Sequence, residues 1–411
     1  MPLIRPFAGL RPVPGRADEV VAPPYDVLST AEARERARGR PNSFLHVSKP
    51  EIDLPPETDP YDPAVYAKGA ENLARMRAGG LLRRDPEPRY YVYRLTMGDH
   101  VQTGVVGAAS VAAYDENRIR KHEFTRPQKE DDRVRQVDAL DAQTGPVLLT
   151  YVHTPEVDDR LAAAAQAPPD MDVTADDGVR HQLWSITDQD TLDALTRAFD
   201  VMPALYIADG HHRSAAASRV AAMRRGADGP SEASYEYFLA VLFPDDQMRI
   251  LDYNRVVRDL NGLSPAELLA RIGERFEVQP RGEAVRPEGP GRFGMYLEGQ
   301  WYLLTLDPSR IPAQDPVARL DVSLLAANVI EPLLGISDPR RDERIDFVGG
   351  IRGLGELQRR VDSGEMAVAF SLHPTAMTDL MAVAEAGEVM PPKSTWFEPK
   401  LADGLVSHPL D

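Results

Sequence analysis

The chain has 411 residues, of which 43% are hydrophobic and 27% are charged, a composition typical of a globular protein with two or three domains. Its formal net charge of −17 and its pI near 5.0 disfavour nucleic acid as a partner, because such a field repels it. The sequence contains no cysteine, which excludes disulfides, thiolate catalysis and cysteine-based zinc sites.

The hydrophobic residues are not gathered into a membrane-spanning segment. No apolar run approaches the ~20 residues that a spanning helix needs. The first residues, Met1 to Pro6, lack the apolar core of a signal peptide. We therefore expect a cytoplasmic protein with no membrane partner, and the sequence leaves its oligomeric state open.

Hydrophobic periodicity and capping residues predict strands and helices along the whole chain. Strands are predicted at 20–22, 42–51, 89–95, 105–111, 147–152, 181–186, 203–207, 235–243, 250–257, 293–297, 301–306 and 366–372. Helices are predicted at 31–37, 64–78, 129–142, 161–167, 188–198, 214–225, 321–334 and 354–362, with a further helix starting at Ser264. Acidic or proline-rich stretches at 170–177, 276–290 and 340–350 are predicted to be loops or connectors.

These elements predict a mixed α/β protein of the α+β class. The pattern of predicted elements changes near residue 263, where a capped helix, a proline- and glycine-rich connector and a hairpin follow one another. We expect a core domain over 1–262, a small α+β subdomain over 263–312, and a C-terminal region over 313–411 that contains a proline-rich closing loop.

The most informative motif is Ala-Asp-Gly-His-His-Arg at 208–213, which joins a predicted buried strand to an alanine-rich helix. Asp209 can cap the helix, and Gly210 can take a tight turn that a side chain would obstruct. The helix N-terminus, two imidazoles and a guanidinium then form a candidate phosphate site. Its residues are Gly210, His211, His212 and Arg213. The alternative is a plain cap and turn followed by solvated polar residues.

Tyr25 and Asp26 follow two prolines, Pro23 and Pro24, which hold the chain in a stiff, extended conformation. A tyrosine and an aspartate held in this way can face a substrate. The same pattern also fits a stiff corner in which Asp26 is only a turn residue. The residues alone do not decide between these two interpretations.

A second group of chemically active side chains precedes a densely charged helix. Its members are Lys121, His122, Glu123, Thr125 and Arg126. A base, an acid and two cations within six positions suit phosphate handling and the deprotonation of a hydroxyl group. The alternative is a solvated charged segment, which is common before a helix.

The stretch Met390 to Lys400 is unusual for the end of a chain, because two lysines and two aromatic residues stand among three prolines. A rigid loop of this kind can close over a site, with Lys393 or Lys400 meeting a charged ligand. The alternative is a tail that the burial of Trp396 and Phe397 clamps onto the protein body.

Several well-known site motifs are absent from the sequence. There is no glycine-rich P-loop, no Gly-x-Gly-x-x-Gly after a predicted strand, no His-Glu-x-x-His and no Gly-x-Ser-x-Gly. His211 and His212 are consecutive on a helix, so their side chains point about 100° apart and would not easily share a metal ion. We therefore predict no protein-only metal site, whereas Mg²⁺ carried by a nucleotide can reach Glu123 or Asp209.

As a set, five motifs resemble the protein family known as domain of unknown function 1015. The motifs are Ala22–Asp26, Lys121–Glu123, Gln143–Pro146, Ala208–Arg213 and Met390–Thr395. The resemblance extends over nearly the whole chain, from Arg5 to His408. The family name carries no reaction, so it identifies relatives and not chemistry.

The Asp-Gly-His-His-Arg element also resembles the phosphate-binding turn of the ParB/sulfiredoxin superfamily, where a Gly-x-x-Arg step opens a helix beneath a nucleotide phosphate. This implies a ParB/sulfiredoxin-like nucleotide-binding core with an elaborated N-terminal region, and it implies that Gly210 to Arg213 contact phosphates. Where sulfiredoxin has its cysteine this chain has His211, so sulfiredoxin chemistry is not implied. The DNA-binding helices of partition proteins have no evident counterpart, which leaves the branch that contains an ADP-dependent free-serine kinase.

These observations together predict a nucleotide-dependent phosphotransferase that acts on a small hydroxylated metabolite, with free serine as the candidate acceptor. The expected cofactor is ADP or ATP, with Mg²⁺ carried by the nucleotide. Glu123 is the expected general base, and His122 and Asp209 are its alternatives. The side chains expected to contact substrate or stabilise charge are Tyr25, Asp26, Lys121, Arg126 and Lys393. A phosphatase with the same anion site and a nucleotide- or metabolite-binding regulator without turnover are the alternative functions.

Overall fold

The computed structural model describes residues 1–226 and 231–410. The chain divides into two compact units. The first contains Met1–Met248 and the C-terminal segment that begins at Pro399, and the second contains Arg249–Glu398. This division differs from the three parts expected from sequence. Elements on both sides of the boundary expected near residue 263 belong to the second unit, and the chain end returns to the first.

Strands and helices are distributed along the whole chain. The strands are β1 Ile4–Arg5, β2 Leu10–Pro12, β3 Leu82–Arg84, β4 Tyr90–Met97, β5 His100–Ser110, β6 Ile119–Arg120, β7 Ala142–Gln143, β8 Val147–Tyr151, β9 Met171–Thr174, β10 Arg180–Ile186, β11 Leu205–Asp209, β12 Tyr237–Pro244, β13 Ile250–Leu251, β14 Tyr253–Val257, β15 Phe276–Arg281, β16 Arg292–Leu297, β17 Gln300–Leu306, β18 Ile345–Gly349, β19 Val368–Leu372, β20 Trp396–Phe397 and β21 His408–Pro409. The α-helices are α1 Ala17–Val20, α2 Thr30–Ala37, α3 Leu45–Ser48, α4 Pro63–Ala78, α5 Val111–Asp115, α6 Pro127–Leu140, α7 Pro155–Ala164, α8 Gln189–Asp200, α9 His211–Arg224, α10 Pro265–Gly273, α11 Asp321–Leu325, α12 Leu354–Asp362 and α13 Met377–Glu385. None of the described helices is both long enough and apolar enough to span a bilayer.

The first unit is built on a mixed sheet with the strand order β6-β11-β8-β12-β5-β4-β10-β9, and β1 pairs with β5 beside it. β11 runs parallel to β6 and β12 runs parallel to β8, whereas the other paired strands are antiparallel. Its apolar core joins strand residues such as Leu149 and Phe238 to helix residues such as Leu195 and Phe199. The mixed α+β class expected from sequence is therefore confirmed.

The second unit has its own sheet, in the order β15-β17-β16-β19-β14-β18, and all of its pairs are antiparallel. β16 and β17 form the predicted hairpin, which turns through Glu298 and Gly299 at positive φ. Val256, Trp301 and Leu357 belong to the apolar core of this unit. The unit is thus a separately packed α+β structure.

Side-chain capping explains where several predicted helices begin. Ser29 starts α2 in a capping box, in which Ser29 Oγ accepts from the N–H of Glu32 and the Glu32 carboxylate accepts from the N–H of Ser29. Ser264 and Glu267 make the same pair of bonds at α10. The helix predicted at 321–334 is present as α11, which continues as a π-helix over Ala326–Ile330.

The strand predicted at 42–51 is wrong, because this stretch contains α3 and then a 3₁₀ helix that starts at Pro50. Phe44, Val47 and Ser48 are buried at helical spacing, and α3 packs on α4. In so short a run the apolar residues fit both the period of a helix and that of a strand, and packing against α4 favours the helix. The strand predicted at 20–22 is likewise wrong, since Val20 ends α1.

Three stretches predicted as loops or connectors each contain a strand, namely β9, β15 and β18, and each of these lies at the end of its sheet. In β9, Met171 and Val173 are buried, whereas Asp172 between them pairs with Arg180 of β10. β15 contains Pro280, which edge strands tolerate because one side of the strand needs no partner. Charge and proline at these edges conceal the strand pattern from the sequence.

The strand–turn–helix predicted at the Ala-Asp-Gly-His-His-Arg motif is present. β11 ends at Asp209, and α9 begins at His211. Gly210 is the N-cap residue with φ +100°, and no side chain caps the helix. A Cβ on Gly210 would lie 3.2 Å from Arg213 Nε and 3.3 Å from Val147 Cα. The expectation that Asp209 caps the helix is therefore wrong, because the tight turn places glycine at the cap and leaves Asp209 in the strand.

Replacing Gly210 with Ala would add a Cβ at a left-handed backbone angle and against Val147. We expect the free energy of unfolding to fall by about 1–3 kcal/mol, as measured by urea denaturation. Gly178→Ala is the control, since Gly178 has φ +82° but no atom within 4 Å of the added Cβ. It should show the cost of the backbone angle alone, so equal losses in the two variants would refute the contribution from the contact.

Candidate functional site

Arg213 is the centre of a cluster of charged and polar groups in the first unit. Its Nη1 donates to the carbonyl oxygen of Pro146. Its Nη2 lies 3.4 Å from Asp26 Oδ2 and 3.8 Å from Asp209 Oδ1. The side chain is only 11% exposed. A guanidinium buried to this extent needs acceptors around it, and here they come from separate segments of the chain.

Lys400 adds a second cation to this cluster, with its Nζ 3.5 Å from Asp209 Oδ2. Burial favours a higher pKa for Asp209, but Lys400 and Arg213 outweigh it and hold that pKa well below its usual range. Burial also opposes the charged form of Arg213, and Asp26 and Asp209 nevertheless raise its pKa. Asp209 and Arg213 are therefore both charged at neutral pH. Of the two lysines considered in the sequence, the structure places Lys400 here.

Asp26 reaches Arg213 from the corner that follows the two prolines. A 3₁₀ helix, Tyr25–Val27, starts directly after Pro24. The Cζ of Arg133 lies 4.0 Å from the centroid of the Tyr25 ring, and burial raises the pKa of Tyr25 to about 12. The phenol therefore keeps its proton at neutral pH. Both residues belong to the charged cluster, and their contact with a substrate stays a prediction.

The two histidines in the first turn of α9 hold the preceding charged loop in place. His211 Nε2 accepts a hydrogen bond from the backbone N–H of His122 at 3.4 Å, and His212 Nε2 accepts one from the backbone N–H of Arg126 at 2.9 Å. In a neutral imidazole the accepting nitrogen carries no proton, so each ring has its proton on Nδ1. The rings of His122 and His211 also meet edge to face, with centroids 4.5 Å apart.

Burial keeps these imidazoles neutral at pH 7. It lowers the pKa of His122 to about 4, lowers that of His211 well below its ordinary value, and lowers that of His212. Arg213 alone therefore carries a positive charge among the three residues expected to neutralise phosphate. The assignment of Gly210 to Arg213 to phosphate stays a prediction, in which the histidines act as neutral polar groups.

Glu123 lies beside the histidine pair. Its Oε2 is 3.8 Å from His211 Nδ1, and its side chain is 51% exposed. His122 Nδ1 is buried and has no hydrogen-bond partner among the described residues. A carboxylate that is open to solvent and next to a protonated ring nitrogen can take a proton from a bound hydroxyl group. The fold thus brings the expected base, Glu123, together with its alternative, His122.

The same three side chains form a candidate metal group. Donor atoms of His122, Glu123 and His211 lie within 4.8 Å of one another, and two neutral imidazoles with a carboxylate suit divalent transition metals. The bond from the His122 N–H to His211 Nε2 opposes this use, because it leaves a proton on Nδ1, the nitrogen nearest Glu123. The absence of a protein-only metal site stays a prediction.

Three residues expected to stabilise charge make other contacts. Lys121 Nζ lies 3.7 Å from the centroid of the Tyr114 ring, and burial lowers the pKa of this lysine. Arg126 has an exposed side chain and meets the cluster through its backbone N–H. Lys393 belongs to the second unit, where its Nζ lies 5.6 Å from the centroid of the Tyr253 ring. Their role toward a ligand stays a prediction.

Arg133 and Asp403 are in the cluster but are not among the residues expected from sequence. Arg133 lies on α6, a helix with many charged residues, and the sequence does not distinguish it from its solvated neighbours. Asp403 is 2% exposed, and its backbone pairs with that of Ala22. The sequence does contain a signal for Asp403, because Asp403 and Gly404 form an Asp-Gly pair within an apolar stretch.

The chain belongs to the family described as "Protein of unknown function (DUF1015)", whose model matches residues 4–323. The match confirms the family expected from the motifs. Four of the five motifs fall within it, and Met390–Thr395 lies beyond its end. No curated protein matches the chain.

Similar solved structures have low sequence identity. A free serine kinase in complex with AMP is 14% identical, with 74% of this chain and 92% of that chain covered and a TM-score of 0.34. SbnI from Staphylococcus aureus, with a C-terminal truncation, is 12% identical, with 72% and 85% covered and a TM-score of 0.38. A conserved hypothetical protein from Pyrococcus furiosus is 14% identical, with 73% and 93% covered and a TM-score of 0.34. No activity of this chain follows from these likenesses.

The neutral buried histidines predict that stability depends on pH. The pKa of His122 falls from 6.5 to about 4 on folding, so the unfolded chain binds more protons between these values. The free energy of unfolding should therefore decrease as the pH drops from 7 toward 4. The free energy of unfolding should decrease less between pH 7 and pH 5 in His122→Gln than in the original protein, by about 1–2 kcal/mol. Urea denaturation at both pH values measures this difference.

The control for this comparison is His153→Gln, because the side chain of His153 is 40% exposed and the substitution leaves the buried pair intact. The control should keep the loss of stability that His122 causes between pH 7 and pH 5. If His122→Gln keeps this loss as well, His122 is not a neutral buried group in the folded protein.

Proposed function

We propose that the protein is a nucleotide-dependent phosphotransferase that acts on a hydroxyl group of a small metabolite. The observation that carries the proposal is the placement of Arg213 and Glu123 at one helix N-terminus. Arg213 lies in the first turn of α9, and Glu123 lies 3.8 Å from His211 of the same turn. A fixed cation and an accessible carboxylate are the two groups that phosphoryl transfer to an alcohol requires.

The phosphate groups would bind at the start of α9. Backbone N–H groups at a helix N-terminus lie at the positive end of the helix dipole and bind anions. In α9 the N–H of Arg213 already donates to the Gly210 carbonyl at 2.9 Å, so the N–H groups of His211 and His212 would bind the phosphate. Arg213 adds a guanidinium that can bond two phosphate oxygens at once. Its contact with Asp26 is a long one, 3.4 Å, so an arriving phosphate can take the place of that carboxylate.

Glu123 would act as the general base. Its carboxylate takes the proton of the acceptor hydroxyl, and the acceptor oxygen forms a bond to the terminal phosphorus of the nucleotide. The bond between that phosphorus and the bridging oxygen breaks, so AMP leaves from ADP or ADP leaves from ATP. His122 is the alternative base. Asp209 is less suited, because Lys400 and Arg213 hold its pKa low.

Magnesium would be carried by the nucleotide and could meet the carboxylate oxygens of Asp209 or Glu123, the type of ligand that Mg²⁺ prefers. The resemblance of the motif to the superfamily that contains a free-serine kinase makes serine the candidate acceptor. With water in place of the alcohol the same groups would form a phosphatase, and a regulator would bind nucleotide without turnover.

Removal of the Arg213 guanidinium should weaken nucleotide binding. We expect Arg213→Ala to lower affinity for ADP, ATP or CTP by at least about tenfold, because a hydrogen bond to a charged group contributes about 1.5–3 kcal/mol. The affinity of Arg213→Lys should lie between those of the original protein and Arg213→Ala, since lysine keeps the charge but not the planar guanidinium. Calorimetric titration with and without Mg²⁺ measures both effects.

The matched control is Arg219→Ala on the same helix, since Arg219 pairs with Glu130 and Asp131 at the surface. Its nucleotide affinity should equal that of the original protein. Unchanged affinity in Arg213→Ala, or the absence of binding to any of the three nucleotides, would remove the basis of the kinase proposal.

Glu123→Gln distinguishes an enzyme from a regulator. We expect this variant to lose about 10²–10⁴-fold in kcat, as removal of a general base does, while its nucleotide affinity stays within twofold of the original, or about 0.4 kcal/mol. Phosphorus NMR with ATP or ADP and L-serine or other small alcohols measures transfer, and release of inorganic phosphate from phosphoserine without nucleotide tests the phosphatase.

Glu116→Gln, an exposed substitution after α5, is the control. Equal rates in both variants would rule out Glu123 as the base.

A further inference from the structure

A small cavity in the first unit borders Arg213, and the reaction proposed above makes no use of it. Its volume is about 30 Å³, which leaves room for a small polar group. The residues of its wall that matter here are Tyr25, Arg133, Gly145, Val147, Arg213 and Asp403.

Asp403 supplies the wall of this cavity with a carboxylate whose hydrogen-bonding capacity is not used. The residue is 2% exposed, and its Oδ2 has no hydrogen-bond partner among the described residues. Burial raises the pKa of Asp403 to about 7 despite Arg213 and Arg133. Buried acceptors in proteins are nearly always partnered, so this oxygen takes its partner from a group inside the cavity.

Arg213 and Arg133 both favour the charged form of Asp403, but each of them has a carboxylate partner at closer range. Asp26 and Asp209 lie within 4.0 Å of Arg213, and Asp132 lies 2.7 Å from Arg133. In the described part of the chain no ion pair within this distance includes Asp403. A positively charged donor is therefore the group that complements this position.

We propose that this cavity binds the ammonium group of the acceptor, a small amino alcohol, with Asp403 Oδ2 as its hydrogen-bond acceptor. The ammonium group brings N–H donors for the open Oδ2 and a positive charge at contact distance, which neither arginine of the wall supplies. Because Arg213 forms part of the same wall, the rest of the molecule extends toward the phosphate site. The inference rests on the proposed function for the fate of the hydroxyl group, whereas the binding of the amine does not depend on turnover.

The test compares probes that differ only in the amine. Ethanolamine and L-serine carry an amine and a hydroxyl group, and ethylene glycol and glycerate carry a hydroxyl group in place of that amine. Calorimetric titration should show that the original protein prefers each amine by at least about tenfold, as expected for a charge-assisted hydrogen bond. Asp403→Asn should abolish the preference, while Asp138→Asn, on the exposed side of α6, should keep it.

A second variant keeps the test valid if Asp403→Asn does not fold, which circular dichroism shows. A Cβ on Gly145 would lie 3.4 Å from Arg213 Cδ and 3.8 Å from Asp403 Oδ1, so Gly145→Ala fills the cavity at ordinary contact distances and retains the carboxylate. This variant should lower the affinity for ethanolamine and for L-serine about tenfold and leave the affinity for ethylene glycol unchanged.

The outcomes separate this inference from the proposed function. The inference is overturned if the original protein shows no preference for the amines, or if Asp403→Asn and Gly145→Ala both keep the preference of the original protein. This holds even if phosphoryl transfer is observed. Amine binding that depends on Asp403, in a protein that binds no nucleotide, supports the inference and overturns the phosphotransferase instead.

Discussion

A buried guanidinium must be surrounded by acceptors, and the first unit meets this need for Arg213 with groups from distant segments. Asp26 follows the double proline, Pro146 precedes β8, and Asp209 ends β11. Loss of one partner leaves part of the charge uncompensated. The cost is below the about 3–5 kcal/mol of a fully buried pair, because the side chains of Asp26 and Asp209 are 40% and 36% exposed and water screens them. Gly210 makes the arrangement possible, because its positive φ and missing Cβ allow Arg213 to fold back against the turn.

The same burial separates groups that stay charged from groups that stay neutral. Arg213 keeps its charge because Asp26 and Asp209 are close, whereas His122 and His211 lose theirs because burial outweighs the attraction of nearby carboxylates. A ligand at this helix N-terminus therefore meets a permanent cation on Arg213 and neutral imidazoles beside it. Phosphoryl transfer benefits from this division, since one group must hold charge and another must move a proton.

The sequence predicts the features of this site that depend on neighbouring residues. The turn at Gly210 is local, because a buried strand, a glycine and a helical pattern follow one another within a short stretch. The stiffness of the corner at Asp26 is also local, but its contact with Arg213 joins residues 187 positions apart and leaves no trace in either segment. Arg133 is hidden for a related reason, since its neighbours on α6 are charged as well. Edge strand β9 is missed because its acidic residues are those that a loop would have.

The C-terminal segment shows how backbone and side chains share the construction of the site. Residues 401–410 are buried, and backbone hydrogen bonds join Ala22 to Asp403 and Leu10 to Ser407. Such bonds can be made by almost any sequence, so they fix where the segment lies without fixing which charges it carries. Lys400 and Asp403 supply those charges, and both lie beyond residue 323, where the family match ends. The matched region holds Arg213 and two of its carboxylates, and the chain end adds the cation next to Asp209 and the carboxylate that faces the cavity.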